Sequence, residues 1–265
     1  MVPISLMVTL EVVKFLQAFF ISWDYKIYDL EKDMPTKVQS SNLNEELGQV
    51  NYVFSDKTGT LTQNVMEFKK FSAGSFSYGS SAPDNRAQMR FHASEELISN
   101  VNFHDDLFYE HWRDPHSANY EAIERVLLNL AICHTIIIEN KNGKLNYNAS
   151  SPDELALVNA ARFFGVKYVD RDEENNLYVD FRGERQKWKL LNLIEFNSTR
   201  KRMTVVVRDP KGVVHVFCKG ADSILYPLLK KTKEGRETER VTNAFLEDYS
   251  KEGLRTLLLV EKVRR

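Results

Sequence analysis

Cysteine is nearly absent: the 265 residues hold two, Cys133 and Cys218. Both sit in apolar runs without metal-type spacing, so they are expected to be buried free thiols of a reducing compartment. Net charge is missing as well. Thirty-six Lys+Arg against 37 Asp+Glu leave −1, and no field marks a nucleic-acid binder. There are no internal repeats and no low-complexity tracts, which excludes a solenoid. Glu11 and Lys14 interrupt the early apolar stretch, so no cleavable signal-peptide pattern is expected.

What is present is enough apolar content for one or two domains, and two informative stretches near the start. Met1 to Ile21 is largely apolar and about the length needed to span a bilayer; by hydropathy alone an amphipathic soluble helix explains it equally well. Further on, Val50 to Phe54 reads as a strand that ends in Ser55-Asp56-Lys57-Thr58-Gly59-Thr60. A carboxylate at the C-terminal end of a strand lies where open α/β sheets bind ligands, and it can act as a nucleophile. Gly59 allows a sharp turn and a close approach. Asp, Gly and Thr also suit an ordinary strand-to-loop turn.

The longer string Asp56-Lys57-Thr58-Gly59-Thr60-Leu61-Thr62-Gln63-Asn64 resembles the phosphorylation signature of P-type ATPases. Val2-Pro3-Ile4-Ser5-Leu6, followed by Val8-Thr9-Leu10-Glu11-Val12-Val13-Lys14, is similar to the fourth transmembrane helix of the type IV members, the phospholipid flippases. On that resemblance Pro3 lies near mid-membrane, and about 15 Å of hydrocarbon remains, roughly 10 residues of helix. Trp23, Tyr25 and Tyr28 suit the membrane–water boundary or, equally, the core of a stalk. Ser41 to Gly48 reads as a short helix, with Asn42 and Glu45 at capping-box spacing.

Past the signature, Val65 to Phe71 reads as a strand, and residues 72–119 as loops and short helices, with Ser94 as a candidate cap. A boundary is drawn near Lys69–Phe71. Helices are expected from Tyr120 to Cys133 and from Ser151-Pro152-Asp153-Glu154 to Phe164. Between them lies a hairpin turning at Asn142-Gly143. Strands at 166–170, 176–182, 187–195, 203–208 and 213–218 suggest an antiparallel sheet. Helices at about 221–230 and 238–252 and a strand at 256–260 complete the pattern.

Four motifs here resemble the nucleotide-binding domain of the same ATPases: Ser151 to Glu154, Phe196 to Met203, Cys218 to Asp222 and Gly253 to Leu257. By residue chemistry alone, acids in a first helical turn are stabilising without a ligand. An aromatic at a strand end offers a stacking face, a lysine ending a buried strand needs an anionic partner, and an arginine can grip phosphate bidentately. The resemblance implies ATP binding by Glu154, Phe196, Ser198, Lys219 and Arg255, with Phe196 stacking on adenine. It further implies phosphorylation of Asp56, charge neutralisation by Lys57, and Mg²⁺ held by the Asp56 carboxylate and the Thr58 carbonyl. Asp56, Lys57 and Thr58 thus also count as nucleotide contacts, and Pro3, Ile4, Ser5 and Leu6 as lipid path.

The expected fold is α/β: an α+β nucleotide-binding domain with an antiparallel sheet, inserted into a partial haloacid-dehalogenase-like phosphorylation domain and preceded by part of a transmembrane helix. The domains would be 1–23, the end of a membrane helix; 24–70, stalk and start of the phosphorylation domain; and 71–265, the nucleotide-binding domain. The expected function is ATP-driven phospholipid translocation through an aspartyl phosphate, with ATP and Mg²⁺ as cofactors. Its partners would be a phospholipid and a membrane but no nucleic acid, an accessory membrane subunit being left open. The chain is expected to be a fragment, with residues from about 24 onward cytoplasmic. The alternatives are a cation-transporting P-type ATPase, a soluble haloacid-dehalogenase phosphatase, or an ATP-binding remnant without catalysis. The uncharged Ile4-Ser5-Leu6 counts against the first.

Overall fold

The computed structural model describes residues 3–30, 32–44, 46–79, 98, 100–141 and 144–264. The expected Glu45 cap partner, the Ser94 cap and the Asn142-Gly143 turn lie outside the described residues. The chain divides into two compact units, Met1–Gln63 and Asn64–Arg265.

In the first unit α1 runs Ile4–Ser22, starting directly after Pro3, whose own backbone is extended. At a 1.5 Å rise its 19 residues span about 28 Å. None of them is buried, and the helix is long and apolar enough to cross a membrane. Toward its end Phe15 meets Phe19 edge to face and Phe19 meets Trp23 at a tilt, with ring centroids 4.9 and 5.7 Å apart. The helix expected over 41–48 is instead two 3₁₀ turns, Ser41–Leu43 and Leu47–Gln49. Ser40, not Asn42, supplies the cap, its hydroxyl accepting from the Asn42 N–H at 3.3 Å. Gly48 falls inside the second turn.

Residues 50–54 form no strand. A strand needs a ladder partner, and in this unit Tyr52, Val53 and Phe54 are bare, Phe54 at 94 % exposure.

The second unit is built on a six-stranded antiparallel sheet with spatial order β10-β9-β8-β7-β6-β5. The strands are β5 Val166–Arg171, β6 Asn176–Phe181, β7 Glu184–Ile194, β8 Arg202–Arg208, β9 Val214–Gly220 and β10 Leu258–Arg264. Their sequences alternate apolar with polar residues, which suits a sheet with one face on a core; β8 buries Met203, Val205 and Val207 in turn. Against that face pack α3 (Tyr120–Ile132) and α4 (Pro152–Phe163). Ile123, Leu127 and Leu130 recur at helical spacing on the buried side of α3. Between these helices lies the hairpin β3 (Ile137–Lys141) and β4 (Lys144–Asn148).

Three expectations change in this unit. The strand expected over 65–71 is a single bridge, Phe68 to Val101, followed by β1 Phe71–Ala73, which turns back on β2 Phe76–Tyr78. Residues 72–119 therefore contain a hairpin and α2, Asp106–Arg113, capped by Asp105 accepting from the Phe108 N–H at 2.8 Å. The reason is a local aromatic core. Phe68, Phe71, Phe103, Phe108 and Phe164 pack ring on ring, with centroids 4.6 to 6.3 Å apart. The helix expected at 221–230 is short, α5 (Asp222–Leu225), and continues as a 3₁₀ turn, Tyr226–Leu228, because Pro227 has no N–H to extend it. Helix α6 spans Lys233–Lys251, five residues longer at its start than 238–252. Cys133 and Cys218 are buried and free.

The register places one end of the sheet in contact with its own backbone. Arg202 lies opposite Gly220, and Gly220 opposite Leu258. A Cβ added at Gly220 would stand 2.6 Å from the Lys201 carbonyl oxygen and 2.8 Å from the Arg202 Cα. That is backbone, which has no rotamer by which to move aside. Gly220→Ala is expected to destabilise the unit by about 1–3 kcal/mol, read as a lower urea midpoint at unchanged slope; an unchanged midpoint would contradict this packing.

Candidate functional site: a buried ion pair at one end of the antiparallel sheet

Four of the strands end together. Ile194 closes β7 opposite Thr204, Met203 faces Lys219 across β8 and β9, and Leu258 opens β10 opposite Gly220. Phe196 and Ser198 follow β7, Lys219 is the last residue but one of β9, and Arg255 precedes β10. The first turn of α4 lies at the same end, because Glu154 and Asp153 each touch one of these residues.

Lys219 is the buried lysine whose position demands an anion. That anion is Glu154. The Lys219 Nζ donates to Glu154 Oε1 at 3.1 Å, with both residues below a tenth exposed. Thr135 completes the carboxylate's shell: its N–H donates to Oε1 at 3.2 Å and its hydroxyl to Oε2 at 2.7 Å. Burial by itself raises the Glu154 pKa. The Lys219 charge and the bonds from Thr135 and Lys219 outweigh it and hold the carboxyl below its ordinary range.

His134 sits beside this pair and is fully satisfied as neutral imidazole. Its Nδ1 accepts from the Ile136 N–H at 3.1 Å, and Nε2 donates to the Ala131 carbonyl at 2.9 Å. Burial first, and then the Lys219 charge, push its pKa down to about 4. Cys133, the next residue back, is pushed up to about 12 by burial, so it stays a thiol.

The outer part of the site is exposed. Phe196 is 62 % exposed, so its ring face is not spent on the core. Ser198 and Arg255 are exposed too. The loop that carries Phe196 and Ser198 is held by Asn197, whose side-chain oxygen accepts from the Arg200 N–H at 2.7 Å and whose carbonyl accepts from the Lys201 N–H at 2.8 Å. Arg255 Nη1 lies 3.0 Å from Asp153 Oδ2 at the surface.

In the first unit, the Asp56 loop is a tight turn. The Lys57 carbonyl accepts from the N–H groups of Leu61 and Thr62, both at 3.1 Å, and from the Thr62 hydroxyl at 3.2 Å. Gly59 has φ 79°, which its missing side chain permits. Asp56, Lys57 and Thr58 are exposed. Oxygen ligands suit Mg²⁺, and the Asp56 carboxylate and Thr58 carbonyl are of that kind. Among the described residues no group of three His, Cys, Asp or Glu comes together.

The structure thus joins Glu154 to Lys219, and Arg255 to the neighbouring Asp153, and sets Phe196 and Ser198 at the same sheet end. Thr135, His134 and Asp153 were not singled out from the sequence. Thr135 and His134 follow a helix end without motif spacing, and only the fold brings them to Glu154.

A family model of the P-type ATPase cytoplasmic domain N matches residues 122–263. The chain belongs to the P-type ATPases. The match runs from α3 into β10 and includes Glu154, Phe196, Ser198, Lys219 and Arg255. Among relatives, a mouse protein named phospholipid-transporting ATPase IC is 42 % identical over 99 % of this chain and 21 % of its own length. The yeast phospholipid-transporting ATPase DRS2 is 42 % identical over 98 % of the chain and 19 % of its own length. The Caenorhabditis elegans tat-1 protein, of the same description, is 42 % identical over 97 % and 21 %. The chain spans about a fifth of the length of these relatives. The mixed α/β structure with antiparallel sheets is consistent with a P-type ATPase domain N.

Removing one partner of a buried pair strands the other's charge. Lys219→Ala in this ATPase chain is expected to cost about 3–5 kcal/mol, and Lys219→Met with Glu154→Leu much less than the sum of the singles. Additive losses in chemical denaturation would overturn the coupling. Acid should weaken the same centre. His134 has a lowered pKa in the folded chain, so its share of stability is full above about 6.5 and drains away toward about 4. Glu154, also lowered, adds a loss below its ordinary value of 4.5. His134→Gln should flatten the fall of melting temperature between pH 6.5 and 4.5; an unchanged slope would assign the fall to other groups.

Proposed function

We propose that this chain is the ATP-binding and phosphate-accepting part of a phospholipid-translocating P-type ATPase. The observation that carries the reading is identity of about 40 % to named phospholipid-transporting ATPases along nearly the whole chain, first unit included. A cation-transporting reading gains nothing from α1, whose opening Ile4-Ser5-Leu6 offers no charged ligand.

On this reading a nucleotide-binding domain that starts near residues 69–71, inside the second unit, binds ATP. Adenine stacks on the exposed Phe196, with Ser198 beside it; the phosphates meet Arg255, and the Glu154–Lys219 pair forms the floor. Asp56 is the nucleophile. Its carboxylate oxygen forms a bond to the γ-phosphorus, the bond from that phosphorus to the β–γ bridging oxygen breaks, and ADP leaves with the electron pair. Lys57 offsets charge on the transferred group. Mg²⁺, held in part by Asp56 and Thr58, supplies charge neutralisation when bound.

Residues around Asp56 belong to a haloacid-dehalogenase-like domain into which the nucleotide domain is inserted. Helix α1 lies in the membrane, with Pro3, Ile4, Ser5 and Leu6 on the lipid path and residues from about 24 onward on the cytoplasmic side. Phospholipid is the substrate; an accessory membrane subunit stays an open partner.

Nucleotide binding is the direct test. Titration of the chain with ATP should perturb the resonances of residues 196–200 and 255. Phe196→Ala should weaken binding about tenfold or more, the worth of one base–aromatic stack, while leaving the melting temperature unchanged. No response to millimolar ATP would overturn the reading.

A further inference from the structure

Two successive residues of the first turn of α4 each hold a basic group at this sheet end. Glu154 holds Lys219 in a buried pair with two further bonds from Thr135. Asp153 holds Arg255 at 3.0 Å, and there the side chains are 26 % and 68 % exposed. The two pairs differ in what can exchange them. Separating Glu154 from Lys219 leaves a buried charge alone. Separating Asp153 from Arg255 costs little, since both ends are wetted and their mutual attraction is screened.

We propose that Asp153 is a specificity-determining residue for the nucleotide: it occupies Arg255 in the empty site and competes with the phosphate chain for it. This rests on the nucleotide-site reading above. A triphosphate carries more charge than a carboxylate and can engage the guanidinium bidentately, so Arg255 moves from Asp153 to phosphate. Asp153 is left with a negative charge next to an anion. Its presence lowers affinity in proportion to ligand charge and leaves the contribution of the base untouched. Asp153 therefore narrows the advantage that ATP holds over less charged nucleotides at this sheet end, without relying on a change at Lys219.

The sequence alone hides this role. Asp153 reads as a first-turn acid that favours the helix dipole, and Arg255 as a phosphate ligand. Only the ion pair shows that each limits the other.

The test uses the full chain in detergent micelles with ATP, ADP and adenosine as probes, each titrated calorimetrically and by NMR at low and moderate salt. Asp153→Asn is expected to tighten ATP binding about two- to fivefold, ADP by less, and adenosine not at all, with the gain shrinking as salt rises. Asp153→Glu should restore the ordinary ratio of ATP to adenosine affinity. In an Arg255→Ala background Asp153→Asn should gain markedly less. Weaker ATP binding by a folded Asp153→Asn chain, or an equal change for adenosine, would overturn the proposal while leaving the nucleotide site standing. Failure of the unsubstituted chain to bind both ATP and adenosine would overturn the two together. Melting curves of each variant separate a binding effect from loss of fold.

Discussion

The Glu154–Lys219 pair is the constraint on which the sheet end depends. A lysine at the end of a buried strand is tolerable only if its charge is met, and it is met by a helix on the sheet's inner face. To deliver that carboxylate, α4 must begin at Pro152, must dock with its first turn over β9, and must leave Thr135 free to fill the remaining acceptor positions. His134, one residue earlier, stays neutral first because it is buried and second because a cation there would face Lys219. One ion pair therefore ties together a helix start and the segment after α3, and adds to what burial does to an imidazole.

Around that pair the groups open to solvent are surface groups. Phe196 is more than half exposed, and Arg255 has a partner it can leave. The division makes physical sense. Groups that must not move are buried and multiply bonded, whereas those that would change partners are wet, where exchange is inexpensive. The Asn197-centred turn and the close fit of Gly220 against Lys201 and Arg202 keep the exposed loop from drifting.

Much of the second unit was legible in the sequence. Strands β5 to β9 followed alternation and turn residues, and α3 and α4 followed helical spacing and a proline start. These signals are local, and the structure kept them. The losses came where burial or pairing overrode local pattern. Val50 to Phe54 has strand composition but no ladder partner in its unit, and so stays open. The stretch 72–119 looks polar and irregular, yet a few widely spaced aromatics collect into one cluster and draw a hairpin and α2 around them.

The sequence by itself determined the family and the residue types of the Asp56 loop and of the sheet end, because short motifs encode turn geometry and charge directly. Only the tertiary structure decided who partners whom. Lys219's counter-charge comes from 65 positions away in the chain, and Arg255's from Asp153, more distant still. Ion pairing depends on distance in space, which strand register and helix docking set together and no spacing along the chain records.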